Sequence, residues 1–580
     1  MPIRKSSRLN RDKDKKLKYI FVSGGVISGI GKGTTAASIA FLLKSAGYSV
    51  TPIKFENYLN MDAGTINPIE HGDPFLCEDG TEADMDIGTY EKFLNEDLGR
   101  DNFVTMGQIY KAVIDRERRF EYKGEDVEAI PHITDEIIDR INKLGREKDA
   151  DIVIIELGGT AGEYQNVFYY EASRILTLRN PGDVIHIHVS YMPTPSHLGE
   201  PKTKPTQLSV RTLNSMGIQP DFIVARSEKP FDQRRKDRFA LFCNMRPDDI
   251  ISNPDLKSAY EIPIILHKQE LDQKILKKLG LKVSEPDIKE WEKLAKKIEE
   301  LKDEQARLPA TEAADNVGQG KQVEIAIVGK YFGTGDYQLK DSYAALFDAI
   351  DHAGWKVGVN VKTRWIDAEK VDREGTGIIG TPNGIIVPIG WGERGAEGMI
   401  KAASFARLKK IPYLGLCYGM QLAVVAYARD ILGLKDANSA ENDHKTKNPV
   451  IHLMPKQKEH MERRAYGGTM RLGTWDAIVK KGTRAFEIYE KHDGFIDKNR
   501  GLTSERHRHR YEFNNAYADE FEKKGLIISA RSVAENLVEI VELPKKTHPF
   551  YLGTQGHPEY KSRPLNPHPI FLEFIEACKK

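Results

Sequence analysis

Cys417 lies in Gly415-Leu416-Cys417-Tyr418-Gly419, between the apolar pair Tyr413-Leu414 and the helix-like Met420-Gln421-Leu422-Ala423. A buried strand turning sharply into a helix between small residues is the pattern of a nucleophile elbow, which lifts a reactive atom clear of its own backbone. His557 and Glu559 follow in His557-Pro558-Glu559. A histidine that takes the thiol proton and a carboxylate that orients the histidine complete the set needed for covalent acyl transfer. A free cysteine is more often a small buried hydrophobe. The elbow and the downstream His-Pro-Glu reverse that reading for Cys417.

A second chemistry is written near the start of the chain. Gly25-Val26-Ile27-Ser28-Gly29-Ile30-Gly31-Lys32-Gly33-Thr34-Thr35 follows the apolar Tyr19-Ile20-Phe21-Val22 and opens a helix. Backbone N–H groups of such a loop cradle phosphates, and Lys32 adds a mobile positive charge. Five residues separate Gly25 from Gly31, one more than in the strict P-loop, so the loop is a variant. The acidic run Glu78-Asp79-Gly80-Thr81-Glu82-Ala83-Asp84-Met85-Asp86 and the strand-ending Glu156 supply carboxylates. A carboxylate at the carboxyl end of a parallel strand lies beside the phosphate loop, where hard oxygen ligands suit Mg²⁺.

These groups need a frame. At 580 residues the chain exceeds the size of a single growing core, so two or more domains are expected. Short apolar strands alternating with helical patterns run from Tyr19 to about residue 280, and a second such series starts at Val323-Glu324-Ile325-Ala326-Ile327-Val328. The fold class read from this is α/β: two domains, each with a mostly parallel sheet flanked by helices. The boundaries are a basic, disordered tail over 1–18, a first domain over 19–284, a linker over 285–322 and a second domain over 323–580. The formal net charge of +1 gives no general pull toward nucleic acid or membranes. No apolar run approaches the roughly 20 residues of a membrane span. Four widely spaced cysteines suggest neither disulfides nor zinc, so a reducing cytoplasm is expected.

The order Cys, His, Glu with His-Pro-Glu near the end resembles class I glutamine amidotransferases. The loop from Gly24 to Gly33 resembles the signature of CTP synthases, as do Asp62 to Pro68, Ile69-Glu70-His71-Gly72-Asp73, Lys202-Thr203-Lys204-Pro205-Thr206-Gln207 and Glu505-Arg506-His507-Arg508-His509-Arg510-Tyr511-Glu512. Motifs occur in order over roughly 19–578. The resemblance implies a phosphate-loop amidoligase joined to a glutaminase. Together they would turn UTP into CTP with ATP, forming a C–N bond through a 4-phosphoryl intermediate and ammonia passed between domains.

Roles transfer residue by residue on that resemblance. Gly29, Ile30, Gly31, Lys32, Gly33, Thr34, Asp86, Pro254, Asp255 and Leu256 would bind ATP. Ser28, Lys202 to Gln207, Arg238 and Glu163-Tyr164-Gln165 would bind UTP or CTP. Lys32 and Lys54 would assist phosphoryl transfer, and Asp86 with Glu156 would hold Mg²⁺. Gly390, Tyr418, Gly419, Met420, Gln421, Glu441 and Arg510 would bind L-glutamine, with His71 either an ammonia gate or a structural histidine. The implied partners are GTP as activator, CTP as product inhibitor, and further copies of the chain in a homotetramer. A cobyrinic acid a,c-diamide synthase shares the two-part plan, but the Lys202 and Arg/His segments argue against it.

Departures carry expectations of their own. Glu163-Tyr164-Gln165 stands where the family commonly has Asp-Ile-Glu, implying differently tuned CTP inhibition. Arg238 replaces a lysine, and Glu56-Asn57 an Asp-Pro pair. Ile389 and Trp391 replace Gly and Phe in the oxyanion segment Pro388-Ile389-Gly390-Trp391-Gly392, and a β-branched residue forced to positive φ there would weaken the glutaminase. Gly556 replaces a phenylalanine, removing an aromatic partner.

Overall fold

Residues 19–22 can all be apolar because they lie in the middle strand, residues 18–25, of a parallel sheet covered on both faces. A computed structural model describes residues 16–68, 72–307, 322–334, 337–338, 340–464 and 466–579. The tail before Lys16, His71 and the central part of the expected linker lie outside them. By internal contacts the chain forms two units, one of residues 1–61 and 86–296, the other of residues 62–85 and 297–580.

The first unit is built on β1 (Lys18–Gly25), β2 (Val50–Glu56), β3 (Phe103–Thr105), β4 (Ile152–Leu157), β5 (Val184–Tyr191), β6 (Phe222–Ser227) and β7 (Ile250–Pro254), in the spatial order β3-β2-β4-β1-β5-β6-β7. Every neighbouring pair is parallel. Helix α1 (Lys32–Ser45) leaves the carboxyl end of β1. Helices α2 (Met85–Leu94), α3 (Lys204–Ser215) and α4 (Gln233–Cys243) carry the other groups expected to meet nucleotide. The strand order reverses beside β1, and ligands of open α/β sheets bind at such a switch point.

The second unit carries a mixed sheet of β8 (Gln322–Gly329), β9 (Asn360–Asp367), β10 (Gly384–Val387), β11 (Tyr413–Leu416), β12 (Arg471–Val479), β13 (Leu502–His509), β14 (Ile527–Ser532), β15 (Val538–Glu542) and β16 (Tyr551–Thr554). Its order is β9-β8-β10-β11-β16-β15-β14-β12-β13. Pairing is parallel from β9 to β16 and antiparallel from there to β13. The sequence reading of a mostly parallel sheet describes the half that carries Cys417. Helix α5 (Tyr418–Tyr427) follows β11 directly and is buried along its whole length.

Candidate functional site

In the first unit, register creates the charge cluster. Lys54 on β2 pairs with Glu156 on β4, and its ammonium lies 2.8 Å from Glu156 Oε1, 2.5 Å from Asp86 Oδ2 and 3.1 Å from Glu56 Oε1. Tyr90 donates to the other Glu156 oxygen at 2.9 Å. Burial pushes the Glu156 carboxyl up, and the neighbouring Asp86 charge adds to that rise. For Asp86 burial is outweighed by Lys54 and Lys32, which hold it below the usual carboxylate range.

Lys32, at the start of α1, donates to the Gly159 carbonyl at 2.8 Å. Burial, with Lys54 nearby, lowers its pKa. Glycine is required at position 33: a Cβ there would lie 2.1 Å from Asp86 Oδ1, so the phosphate loop and the carboxylate cluster abut. Val26 in the loop has φ 81°, a conformation that costs a β-branched residue strain and that persists at functional sites. Gly29 and Gly31 also have positive φ, at 70° and 84°.

The donor set suits a hard divalent cation, because carboxylate oxygens of Glu56 and Asp86 approach within 4.8 Å of each other at the mouth of the phosphate loop. Glu156 is fully buried and its oxygens are engaged by Lys54 and Tyr90. Glu56 was not singled out from sequence. Its signal was position, at the carboxyl end of a strand two residues after Lys54.

The nucleoside-side candidates are more dispersed. Thr206 is buried and hydrogen-bonds Ser190 at 3.0 Å, and Gln207 reaches back to Thr203 Oγ1 at 3.0 Å, so they fix the start of α3. Lys202 pairs with Glu200, and Lys204 and Arg238 are exposed. Beneath the loop, His188 bridges Ser23 at 2.9 Å and Ser209 at 2.8 Å, tying β1 to α3. Burial pushes this imidazole down to about 3, so it is neutral. Pro254 is buried with its carbonyl on Arg226, while Asp255 pairs with the same arginine at 3.1 Å. Glu163 accepts from Thr160 N and Oγ1, both at 2.7 Å, and from Asn57 at 3.1 Å. Its carboxylate thus faces its own loop, while Tyr164 is 97% exposed.

In the second unit the elbow is formed. Cys417 has φ 49° and ψ −100°, the strained turn expected of a presented nucleophile. A Cβ on Gly419 would fall 1.9 Å from the Val387 carbonyl, so the helix packs onto β10 only with glycine there. The parallel register Leu416↔Thr554 brings the residues after β16 beside the cysteine. Gln555 Nε2 lies 3.4 Å from Cys417 Sγ, and His557 Nδ1 is 2.7 Å from Glu559 Oε1. Burial alone would lower the imidazole, but Glu559 and the Cys417 sulfur overcome it and hold His557 up at about 10. Its Nε2 has no hydrogen-bond partner among the described residues and is free to exchange a proton.

The backbone N–H groups around the elbow divide into paired and unpaired. The Trp391 N–H goes to Tyr331 at 3.0 Å and the Gly392 N–H to Glu441 Oε1 at 2.7 Å. The N–H groups of Gly390 and Tyr418 have no partner among the described residues, and an unpaired buried donor calls for a ligand. Ile389 is absent from the positive-φ residues and is 3% exposed, so the strain expected of it does not arise. Gly556 leaves no gap either: a Cβ there would stand 2.8 Å from Glu505 Cβ, whose carboxylate holds Tyr489 and His568.

Arg506, Arg508 and Arg510 alternate along and just beyond β13, yet only two of them meet carboxylates. Arg506 pairs with Glu78 at 3.2 Å, and Arg508 with Glu82 at 2.6 Å and Asp73 at 3.3 Å. Arg510 is held by neutral oxygens of Gln457, Tyr466 and Thr469 at 2.5, 2.6 and 2.9 Å. No carboxylate among the described residues forms an ion pair with it, although Glu82 acts on its charge from a distance, so it is suited to a substrate carboxylate. Gln421 is buried, donating to the Tyr511 carbonyl at 2.8 Å, and Met420 is wholly buried. Gln421 Oε1 has no hydrogen-bond partner among the described residues.

Comparison with known proteins agrees with this two-site plan. The family described as CTP synthase N-terminus matches residues 18–281, and glutamine amidotransferase class-I matches residues 338–577. A CTP synthase of Caldanaerobacter subterraneus subsp. tengcongensis is 46% identical over 97% of this chain and 98% of its own length. That of Pyrococcus abyssi is 45% identical over 97% and 98%. That of Sulfolobus acidocaldarius is 46% identical over 97% and 99%. With both halves matched in order and nearly the whole length aligned, the chain belongs to the CTP synthase family.

Proposed function

We propose that the chain aminates UTP to CTP, driven by ATP, with ammonia cut from glutamine at Cys417. The observation that carries this reading is the strained Cys417 elbow beside a buried His557–Glu559 pair, 2.7 Å apart, in a chain that also carries a phosphate loop with Lys32. Arg510 would hold the glutamine α-carboxylate and Glu441 its amine. The thiolate attacks the side-chain amide carbon, and the oxyanion takes the N–H groups of Gly390 and Tyr418. Protonated His557 gives its proton to the leaving nitrogen, releasing NH₃ and a glutamyl thioester. His557 then removes a proton from water as the thioester is hydrolysed.

At the other site the γ-phosphoryl of ATP moves to O4 of UTP, and ammonia displaces phosphate at C4. Lys32 and Lys54 neutralise charge on the phosphoryl group in flight. Asp86 and Glu156 would hold Mg²⁺, with the Glu56 carboxylate beside Asp86; the ion would supply charge neutralisation for the nucleotide phosphates. Lys202 to Gln207 and Arg238 would contact UTP or CTP. Activation by GTP, a homotetramer and a cytoplasmic location complete the reading on family grounds.

Conversion of UTP with ATP and Mg²⁺, followed by absorbance, tests the whole. Wild type should form CTP with either glutamine or ammonium, and Cys417→Ala only with ammonium. Absence of product with both nitrogen sources in wild type would end the reading. Because the Glu163 carboxylate is spent on Thr160 and Asn57, CTP should inhibit weakly, and Gln165→Glu should tighten inhibition by roughly tenfold, about 1.4 kcal/mol. Equal inhibition constants for the two proteins would count against this last point.

A further inference from the structure

Lys330 is a buried lysine that none of the steps above uses. It is 4% exposed and follows β8. Its ammonium donates to the carbonyls of Trp391 at 2.5 Å and Gly392 at 2.7 Å, and stands 5.0 Å over the Tyr418 ring. Tyr418 OH donates to the same Gly392 carbonyl at 2.7 Å, and Tyr343 OH to the Ile389 carbonyl at 3.2 Å. A Cβ on Gly390 would sit 2.7 Å from Lys330 Cδ, so the lysine stem also walls the peptide from behind. Every backbone polar group of Trp391 and Gly392 is therefore tied down, and the Gly390 N–H is left over.

We infer that Lys330 is a positioning residue for glutamine hydrolysis: its ammonium clamps two carbonyls of the oxyanion loop and thereby aims the Gly390 N–H at the developing oxyanion. The inference rests on Cys417 being the nucleophile. A loop of this kind has no regular secondary structure to fix its peptide planes, so its N–H direction depends on what grips the neighbouring carbonyls. A lysine gives three donors from one point and can grip two carbonyls at once. Tyr331 performs the complementary task by accepting the Trp391 N–H at 3.0 Å.

Charge makes the clamp titratable. Burial pushes Lys330 down to about 8; Glu441 and Glu369 oppose that fall, and Arg394 adds to it. Arg394 also donates to the Lys330 carbonyl at 2.6 Å. The remaining titratable groups around it are Tyr418, Tyr331 and Tyr343, whose hydroxyls burial keeps protonated. As pH rises past about 8 the ammonium loses a proton, the grip on the carbonyls weakens and glutamine hydrolysis should fall. His557 titrates higher, at about 10, and is distinguishable.

The test is glutamate release by the full-length chain across the alkaline range, for wild type, Lys330→Met and Lys330→Arg, with thermal midpoints to verify folding. Lys330→Met should lose roughly 10²-fold in kcat, the usual effect of a misdirected oxyanion donor, with KM moving less than about threefold. Lys330→Arg should recover part of that loss and shift the alkaline limb upward by at least about one pH unit, because a guanidinium does not deprotonate. An unchanged kcat in Lys330→Met, a loss confined to KM, or an unshifted limb in Lys330→Arg would each overturn the inference. If Lys330→Met does not fold, the Lys330→Arg profile decides. Cys417→Ala run in parallel separates the two levels: hydrolysis surviving there removes the reading of the site itself, whereas an inert Cys417→Ala with indifferent Lys330 variants removes only the role of Lys330.

Discussion

Single residues at both sites are held where chemistry needs them and where other side chains would not fit. Gly556 is the sharpest case, since a position that looked from sequence like a lost aromatic partner is closely packed. Glu505 Cβ occupies the space, 2.8 Å from any Cβ at 556, and its carboxylate satisfies Tyr489 and His568. Restoring the family residue with Gly556→Phe should therefore destabilise the second unit by about 1–3 kcal/mol through overpacking. A thermal midpoint equal to or above wild type would contradict this. The same lesson applies to Ile389, whose hazard depended on a backbone angle that sequence does not state. Residue types revealed the chemistry here; the space around each residue was legible only from the packed structure.

At the scale of elements, strand register does most of the positioning. Lys54 meets Glu156 because β2 and β4 pair directly, and His557 meets Cys417 because β11 and β16 pair with Leu416 opposite Thr554. Alternation of strands and helices was readable, and so were the strand ends where ligands bind. The antiparallel extension of the second sheet was not, because β12 and β13 are polar in large part and β12 pairs with β14 across the intervening β13 in sequence. Helix α1 abuts the carboxylate cluster so closely that Gly33→Ala must push Asp86 aside, given 2.1 Å between the new Cβ and Oδ1. Ammonium-driven CTP formation should then drop by about 10²-fold, the scale of a 1 Å misplacement, while glutamate release from glutamine continues. Normal ammonium-driven rates in this variant would mean that Asp86 need not stay in place.

For the whole molecule, the units are not two continuous stretches of chain. Residues 62–85 belong to the second unit, where Asp73 and Glu82 meet Arg508, Glu78 meets Arg506, and Tyr560 donates to Asp73 at 2.7 Å. Sequence reading placed these residues by neighbourhood, as part of a nucleotide-binding half. Nothing local announces a partner more than 400 positions away. Arg508→Met should cost the second unit about 3–5 kcal/mol, because it leaves two buried carboxylates without their cation. A thermal transition within about a degree of wild type would refute the pairing's importance.

The interleaving of residues 62–85 also constrains how the protein can be made. During synthesis Asp73 and Glu82 leave the ribosome 435 and 426 residues ahead of the arginine that neutralises them. The nascent amino-terminal half must carry these acidic side chains in water until the last strands appear. A carboxy-terminal fragment beginning after residue 296 would lack the Asp73 and Glu82 carboxylates that pair with the buried Arg508. Supplying the early acidic segment should therefore raise the thermal midpoint of such a fragment, because Arg508 regains Asp73 and Glu82.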